Sequence, residues 1–556
     1  EGAVMPTIYY KDLPTGANEG AAVAGNAQTG WDGKVYPERR NERYATLEPG
    51  YWRLDGSAKL LPAAPAGLSF CSTEISGADG VFAEPVVLTL TLDNKYTATG
   101  LTFWFDEAAG EYCTRLRVEW YRDSLLLAER EITPDGTQYT YSQEVEAFNR
   151  LMITFYATSV PQRFLRLTRL LVGKLEVFEG AELQRCELHQ EVDPSSTELP
   201  GSTGSFILRD TKQRILHFQQ RQPLEFWQGG EYLGTLYIDS SEKSAQWLYQ
   251  VDCIDAVQVL ADSNTDGGMY TNKPFGTLVR EIIGGDFAAE VDPALENTPL
   301  TGWLPNTDKR SALLQACFAA GAMITTAGTD RVRFVPVAGM ASAAITKARI
   351  LTGGKVTTEA LVTEVAVDSH RYAVSSEAEQ VYQDDLEPGS YTVINSEPYT
   401  GYSITGGTIT ASSPNSVHFI VPSAGQVTIT GKKYIDSTTR ATKRAATATA
   451  QDKSNAQTVE DSTLVSPAAQ KAAVQRLYDY SRYRHKLEQS VVYAGEQPGQ
   501  MVTTEKPFDG QLIGYITERT LHLSGKAVAE LVIRGQNVEL GIAAPDSGTV
   551  QSGEVW

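Results

Sequence analysis

The sequence predicts a mainly β protein with α+β elements: an N-terminal β-sandwich, two small β-barrels, a small α+β domain and an inserted antiparallel β-sheet. Three observations support this fold class. Short alternating apolar segments separated by turn residues recur along the 556 residues, which is typical of sandwiches and barrels. Helical periodicity is confined to a few segments. One three-strand pattern occurs twice. The length allows several domains.

The repeated pattern runs from Pro223 to Asp255 and again from Gly499 to Gly535. Each copy reads as a short apolar strand, a polar turn, a strand with an apolar-Gly-x-apolar centre and a final alternating strand. The reading aligns "LGTL" at 233–236 with "IGYI" at 513–516. Two generic three-stranded meanders would give the same pattern, so the repeat alone does not identify a function.

The N-terminal part divides into an arm or linker at 1–45, with simple disorder as the alternative, and a jelly-roll-like β-sandwich at 46–175. The arm is polar and rich in Gly and Ala. The sandwich is predicted from several alternating strands, the clearest being "VVLTLTL" at 86–92, whose even-numbered residues share one face.

Aromatic residues in the sandwich have two readings. Trp104, Trp120 and Tyr121 could face outward and stack on a sugar, or they could fill the core between the sheets. We favour the core, because buried aromatics are the more common case.

The first copy of the repeated pattern lies in the predicted first barrel, 176–262, which is a small barrel or a strongly bent sheet. Gly229 and Gly230 are expected to form its turn. Gly234, inside a strand, suggests a bulge or a tight bend.

The segment 263–349 predicts a small α+β domain. One helix is expected between Pro274 and Gly284. A second is expected to begin at Thr307 or Asp308 and to stop at Gly321, with a hairpin after it. The apolar stripe of the second helix is predicted to comprise Leu313, Leu314, Cys317 and Phe318.

The remainder predicts a second barrel that an insertion interrupts. A helix is expected to start with Ser466 as its cap and Pro467 in its first turn. Its apolar side is expected to include Ala473, Leu477, Tyr480 and Leu487. The predicted divisions are the start of the second barrel at 350–379, the inserted β domain at 380–435, a connecting segment, helix and second barrel at 436–540, and a C-terminal tail at 541–556.

Charge and cysteine content exclude some classes of function. The formal net charge is −20, from 48 basic and 68 acidic residues, which argues against a nucleic-acid grip because phosphate contacts need Lys and Arg clusters. No apolar run approaches membrane-spanning length. The five cysteines show no metal-like or redox-like spacing. Cys186, Cys253 and Cys317 read as small buried hydrophobes, and Cys71 and Cys113 could pair but nothing supports it.

The sequence marks no catalytic, cofactor-binding or metal-ligating residue, and we predict that the chain is not an enzyme. Its six histidines lie far from one another in the sequence, and no metal-binding run is present. His217 and His522 fall in predicted strands and read as structural histidines. Acidic residues are plentiful, but none stands out as a pair for glycoside hydrolysis.

The order of parts resembles a known family. The segment "FEGAELQRCELHQEVD" and the following "RQPLEFWQGGEYLGTLYIDSS" resemble the opening barrel of baseplate hub, or tail-tip, proteins of long-tailed bacteriophages. The segment "SPAAQKAAVQRLYDYSRYRHKLEQ" with "GQLIGYITERTLHLSG" resembles their closing helix and second barrel. The resemblance extends to related phage-tail-like bacteriocins. More closely, the chain is similar to hub-type tail proteins from prophages of Gram-positive bacteria. The family often has Gly-Asp where this chain has Gly499-Gln500.

The resemblance implies a mechanical function and a location at the distal tail tip of a virion or phage-like particle. It implies a homotrimeric baseplate hub whose two barrels per chain present six similar barrels to a six-fold tail tube. The implied partners are a distal tail or tube-ring protein, the tape-measure protein, and tip fibre, spike or receptor-binding proteins. Genome DNA would pass through without specific binding during ejection, and an acidic lumen would keep it from sticking. Cell-wall glycans are a further contact that the sandwich could make.

Two other classes remain open at this level. A secreted or particle-borne carbohydrate-binding protein would act through the β-sandwich, but this leaves the paired barrels unexplained. A cell-wall hydrolase at a tail tip would need a Cys-His or metal constellation, which the α+β segment lacks.

Overall fold

The computed structural model describes residues 70–538 except 215, 338, 447, 450, 508–509 and 524–527. Of the first 69 residues it describes 6–13, 17–18, 21–25, 44–46, 48–53, 55–56 and 59–60. The predicted C-terminal tail at 541–556 lies outside the described residues. The predicted fold class is confirmed, since the described chain is mainly β with α+β elements. None of the helices in these ranges is long and apolar enough to cross a membrane.

The N-terminal third is built from strands. They are β1 (Pro6–Lys11), β2 (Ala22–Gly25), β3 (Tyr44–Ala45), β4 (Lys59–Leu60), β5 (Phe70–Ile75), β6 (Val81–Phe105), β7 (Cys113–Arg122), β8 (Leu125–Ile132), β9 (Gln138–Thr158), β10 (Phe164–Val172) and β11 (Leu175–Glu179). Strands β5 to β10, with β2 beside β6, form one sheet in the order β5-β10-β6-β9-β7-β8. Strands β6 and β9 pair along their length through several register shifts, and such bulges bend a sheet over its core.

The sandwich core confirms two predictions. Val86, Leu88, Leu90 and Leu92 are all buried on one face of β6, as strict alternation requires. Trp104 and Trp120 are buried, whereas Tyr121 is half-buried and carries the guanidinium of Arg150 4.4 Å from its ring centroid. Neither tryptophan is therefore available as a sugar platform.

The N-terminal segment, predicted as an arm or linker, contributes β1 to a different sheet. Strand β1 pairs with β11 on one side and with the later strand β14 on the other. The buried carboxylate of Asp12 then accepts hydrogen bonds from the backbone N–H groups of Thr99 (2.8 Å) and Lys174 (3.0 Å). These hydrogen bonds attach the N-terminal segment to the sandwich at Thr99 and Lys174.

The next region carries a 3-10 turn at Gly180–Glu182, five strands and a short helix. The strands are β12 (Leu183–Glu191), β13 (Thr203–Arg209), β14 (Pro223–Gln228), β15 (Glu231–Ala245) and β16 (Leu248–Ile254), and the helix is α1 (Ala256–Val259), followed by a 3-10 turn at Leu260–Asp262. Gly229 and Gly230 form the β14–β15 turn with φ of +58° and +86°. A register shift lies beside Gly234, so the predicted bulge is confirmed.

The α+β segment follows, and two of its helices, α2 and α4, match the two that were predicted. Its elements are β17 (Asn264–Thr265), β18 (Gly268–Pro274), α2 (Phe275–Ile283), β19 (Ala289–Val291), α3 (Pro293–Glu296), β20 (Pro299–Leu304), β21 (Thr307–Asp308), α4 (Lys309–Ala320), β22 (Ala322–Thr325) and β23 (Val332–Pro336). The carboxylate of Asp308 caps α4 by accepting from the N–H of Ser311 at 2.8 Å. Gly321 ends α4 in the left-handed conformation. Leu313, Cys317 and Phe318 are buried, whereas Leu314 is only half-buried.

The last region holds the insertion and the second copy of the repeat. Its elements are β24 (Ala343–Ile345), a 3-10 turn (Lys347–Arg349), β25 (Lys355–Thr358), β26 (Glu364–Leu386), β27 (Gly389–Ile394), β28 (Tyr399–Thr405), β29 (Thr408–Ser413), β30 (Ser416–Val421), β31 (Gly425–Arg444), β32 (Ala456–Val459), α5 (Pro467–Ser481), β33 (His485–Val492), β34 (Met501–Glu505), β35 (Gln511–His522) and β36 (Val528–Val538).

The insertion is a long hairpin with its own small core. Strands β26 and β31 pair over most of their length, and β27, β29 and β30 form a sheet at the distal end around Val417, Phe419 and Ile429. Helix α5 packs against the proximal part of the hairpin. The segment predicted as the start of the second barrel therefore divides: β25 joins the second copy, while β26 belongs to the hairpin.

Two local predictions are wrong. Leu487 does not lie on helix α5, because the helix ends at Ser481 and Leu487 is a buried residue of β33. The segment "HKLEQSVV" alternates in burial with period two, and this strand pattern prevails over the helical spacing. His217 lies in a loop rather than a strand, with its Nε2 3.3 Å from a carboxylate oxygen of Glu144 in the sandwich.

Candidate assembly surface

The two copies of the repeat are larger than the sequence indicated, because each comprises five strands. In chain order the first module is β12, β13, β14, β15 and β16, and the second is β25, β33, β34, β35 and β36. The first has the sheet order β14-β15-β16-β13-β12, and the second has β34-β35-β36-β33-β25. Both therefore place their third, fourth, fifth, second and first strands side by side in that order. A shared five-strand topology is much more specific than a three-strand meander.

Hydrogen bonds at the start of the third strand fix the register between the modules. Ile238 exchanges backbone hydrogen bonds with Arg221 and Gln222, and Ile516 does the same with Gly499 and Gln500. A bulge follows each isoleucine in the pairing with the fifth strand. Ile238 therefore corresponds to Ile516.

This register corrects the alignment of the two central glycines. Once Ile238 is matched with Ile516, Gly514 corresponds to Leu236 and not to Gly234. The error is two residues, which keeps every side chain on its face of the sheet. Glycine is required at the two positions for different local reasons. Gly234 has a φ of +139° and approaches the carbonyl of Thr326, whereas a Cβ at Gly514 would lie 2.3 Å from the carbonyl oxygen of Arg534.

The two predicted barrels are two parts of one open sheet in the described chain. Strand β12 does not close onto its own module. It pairs antiparallel with the distal half of β35, in a register that sets Leu188 opposite Leu521 and Gln190 opposite Arg519. The resulting sheet runs β11-β1-β14-β15-β16-β13-β12-β35-β36-β33-β25, with β34 beside β35 and β24 beside β34. One core cluster contains residues of both modules, including Leu188, Leu521 and Ile533.

A buried arginine lies at this junction. The guanidinium of Arg519, 1% exposed, donates to the side-chain oxygen of Gln190, to the carbonyl of Glu496 and to the hydroxyl of Tyr493. Tyr493 in turn donates to a carboxylate oxygen of Glu231 in the first module, at 2.7 Å. Burial lowers the pKa of Arg519 and raises the pKa of Tyr493. The sequence signal was present: Arg519 shares a strand face with the apolar Leu521.

The face of the sheet opposite the core is polar and mainly acidic. We call it the polar face. Its residues alternate along their strands with buried apolar ones such as Leu188, Leu487 and Leu531. They include Glu187, His189, Ser205, Asp252, Lys355, Lys486, Glu488, Glu518, Thr520 and Glu530. Two shallow depressions, one in each module, lie on this face.

Contacts between titratable side chains lie on the polar face, and one of them crosses the junction. His522 on β35 lies between two carboxylates, with Nδ1 3.2 Å from Glu187 of β12 and Nε2 3.1 Å from Glu530 of β36. A hydrogen bond from Arg185 holds the pKa of Glu187 below its usual range. Lys486 lies 3.5 Å from Glu518. The carboxylates named on this face outnumber the named lysine and arginine side chains.

Other candidate chemistry is not gathered into a site. Among the described residues, no group of three or more His, Cys, Asp or Glu side chains is placed to hold a metal ion. All five cysteines are free and buried, so Cys71 and Cys113 are not paired. Cys186, Cys253 and Cys317 are buried as predicted.

Comparisons with known proteins return solved structures only. No protein-family model and no curated protein matches the sequence. A tail protein from Neisseria meningitidis is 11% identical, with 66% of this chain and 94% of that chain covered and a TM-score of 0.40. The 43 kDa tail protein of prophage MuSo2 from Shewanella oneidensis is 9% identical, with 64% and 95% covered and a TM-score of 0.41. Prophage tail protein gp18 from Listeria monocytogenes is 11% identical, with 65% and 91% covered and a TM-score of 0.39. The resemblance stated from the sequence is to the same class of protein.

Proposed function

We propose that this chain is a structural baseplate hub protein that closes the distal end of a phage or phage-like tail tube. Three copies form a ring that adapts the six-fold symmetry of the tube to a three-fold tip. The observation that carries this proposal is the pair of five-strand modules with one topology, joined side by side through β12 and β35.

The symmetry argument follows from that junction. Two similar modules placed edge to edge in one chain are related by an approximate rotation. If that rotation is one sixth of a full turn without translation along the axis, and successive chains repeat it, the arrangement closes into a ring. Three chains then present six similar modules to a six-fold partner, while the sandwich and the insertion occur three times each.

The partners proposed for the ring follow from its position. The six modules would contact a distal tail or tube-ring protein and hold the end of the tape-measure protein. The parts that occur three times would carry tip fibre, spike or receptor-binding proteins. The location is the distal tip of the virion or particle, and the role is mechanical, without catalysis by this chain.

The polar face supports a role for the open sheet of both modules in lining the central channel of the ring. In the ring it would face the channel through which genome DNA passes during ejection. The named carboxylates of this face outnumber its named lysine and arginine side chains, and this excess would repel phosphates at short range, within a Debye length of about 8 Å at physiological salt. DNA would then pass without specific binding.

The alternative of a carbohydrate-binding protein loses its main support. The two tryptophans that could have formed a sugar platform are in the sandwich core, and the half-buried Tyr121 is covered by Arg150. The sandwich on the outside of the ring therefore favours contacts with neighbouring proteins.

The test is the native mass of the purified chain at several concentrations, followed by negative-stain imaging of the largest species. We expect a species of about three times 60.6 kDa whose projection shows a ring with six similar inner lobes. A chain that remains a monomer or stops at a dimer at every concentration, and that also fails to bind isolated tail tubes, contradicts the proposal.

A further inference from the structure

Among the described strands, two matching edges are left unpaired by the junction inside the chain. In the second module, the distal half of β35 is covered by β12, the first strand of the first module. In the first module, the corresponding half of β15 pairs, among the described residues, with β16 on one side only. All of Asp239–Ala245 is exposed, whereas Thr517–His522 is buried or half-buried.

The complementary edge belongs to β25, the first strand of the second module. It pairs with β33 on one side and ends the described sheet on the other. Lys355, Thr357 and Thr358 are exposed, while Val356 packs against the shared core. Leu351, just before β25, and Val492, at the end of β33, are exposed large apolar side chains beside this edge. Unpaired edges of this kind invite pairing with another chain.

We infer that β25 of one copy pairs with the distal half of β15 of the next copy, repeating between chains the β12–β35 junction within the chain. This inference rests on the proposed ring. The occupant of each free edge is thus a second copy of this chain, and first and second modules alternate around the ring through a continuous sheet.

The register of the new junction follows from the internal one. Cys253 and Ile533 are equivalent, because they pair with the matched residues Ile238 and Ile516. Leu188 is connected to Cys253 through one residue of the second strand, and Val356 is connected to Ile533 in the same way. Val356 therefore corresponds to Leu188. Since Ile516 corresponds to Ile238, Leu521 corresponds to Lys243. Val356 therefore lies opposite Lys243, and Thr357 opposite Glu242.

The side chains at this register are compatible. Lys243 lies over the rings of Trp247 and Tyr249 with its Nζ 5.4 and 5.2 Å from their centroids, so its stem offers apolar surface to Val356. On the polar face, Lys355 becomes a diagonal neighbour of Glu242, and opposite charges at such positions attract. The two edges thus differ in charge as partners in a head-to-tail contact should.

Disulfide trapping in the full chain tests the register. Residues directly opposite in an antiparallel pair bring their Cβ atoms to about 4.5–5.5 Å, which is close enough for a disulfide after a small adjustment. The double variant Thr357→Cys, Glu242→Cys places one thiol on each edge. The native cysteines are all buried, so mild oxidation reports on the introduced pair. Thr357→Cys with Glu290→Cys, an exposed strand residue of the α+β segment, is the matched control.

The native mass of each variant is measured before oxidation, and the covalent mass afterwards under denaturing conditions. We expect the test pair to shift from one chain to about three times 60.6 kDa, through links between chains, and the control pair to stay at one chain. A trimer that does not cross-link, or that cross-links equally in the control, overturns the strand pairing and leaves the ring intact. A chain that forms no trimer and also fails to bind isolated tail tubes overturns both.

Discussion

Gln190 and Arg519 face each other across the only contact that joins the two modules strand to strand in the described chain. Both are buried, and the guanidinium of Arg519 donates to the side-chain oxygen of Gln190. The Gln190 amide in turn donates to the carbonyl of Leu233, on β15, at 3.3 Å. A polar network thus sets the register of the junction inside an otherwise apolar core.

Replacing Arg519 with Ala should destabilise the protein strongly. The change leaves the Gln190 oxygen, the Glu496 carbonyl and the Tyr493 hydroxyl without their donor and opens a cavity. A loss of about 3 kcal/mol in the free energy of unfolding is expected. Urea titration followed by tryptophan fluorescence measures it. Arg185→Ala, which removes an exposed arginine from β12, should leave the midpoint unchanged. Equal stability of both variants would show that the buried network does not hold the junction.

Local features of the fold were readable from the sequence, and the reason is physical. The N-cap at Asp308 and the left-handed C-cap at Gly321 each depend on residues within one turn of an end of helix α4. Neighbouring positions in the sequence are therefore enough to predict them. The alternation in β6 likewise depends on one strand and one buried face.

The arrangement of the sheet could not be read in the same way. Strand β12 had two ways to satisfy its edge, closing its own module or pairing with β35, and residues 187–191 pair with residues 518–522 far along the chain. Alternation fixes a face but not a neighbour. The same limit explains the two-residue error at Gly514, since a shift of one strand period preserves the apolar pattern.

The two central glycines should both resist substitution, for different reasons. Gly514→Ala forces a Cβ against the backbone carbonyl of Arg534, and Gly234→Ala places a side chain at a φ of +139°. Each should cost about 1–3 kcal/mol, measured as the shift in the midpoint of chemical unfolding. Gly285→Ala, where a Cβ meets open space, is the control. If Gly514→Ala unfolds at the same denaturant concentration as the control, the close approach of β35 and β36 is wrong.

All five thiols should be unreactive towards a thiol reagent in the folded protein and reactive after unfolding. Burial raises the pKa of Cys71, Cys113 and Cys186 to about 12 and raises that of Cys253 and Cys317 as well, so thiolate is scarce at neutral pH. A chromogenic thiol reagent should report close to zero thiols per native chain and five per chain in denaturant without reductant. A count of three in denaturant would instead reveal a disulfide.

His485 should make the stability of the second module depend on pH. Its ring links three strands, with Nδ1 3.0 Å from the hydroxyl of Thr358 on β25 and Nε2 3.2 Å from the side-chain amide of Asn537 on β36. Burial, followed by the charges of Lys506 and Arg484, lowers its pKa in the folded state. A group with a depressed folded pKa contributes stability above its unfolded pKa of about 6.5, and this contribution is lost as pH falls through the folded value.

The histidine contribution is isolated by comparing the wild type with His485→Gln, which retains hydrogen-bonding capacity but does not titrate. The difference in Tm between the two should be largest above about pH 7 and should shrink as the pH falls below 6.5. His418→Gln is the matched control, since His418 also contacts a threonine hydroxyl, at 2.8 Å, but lies in the insertion. A Tm difference for His485→Gln that stays constant from pH 8 to pH 5 would mean that protonation of this ring does not weaken the edge at β25.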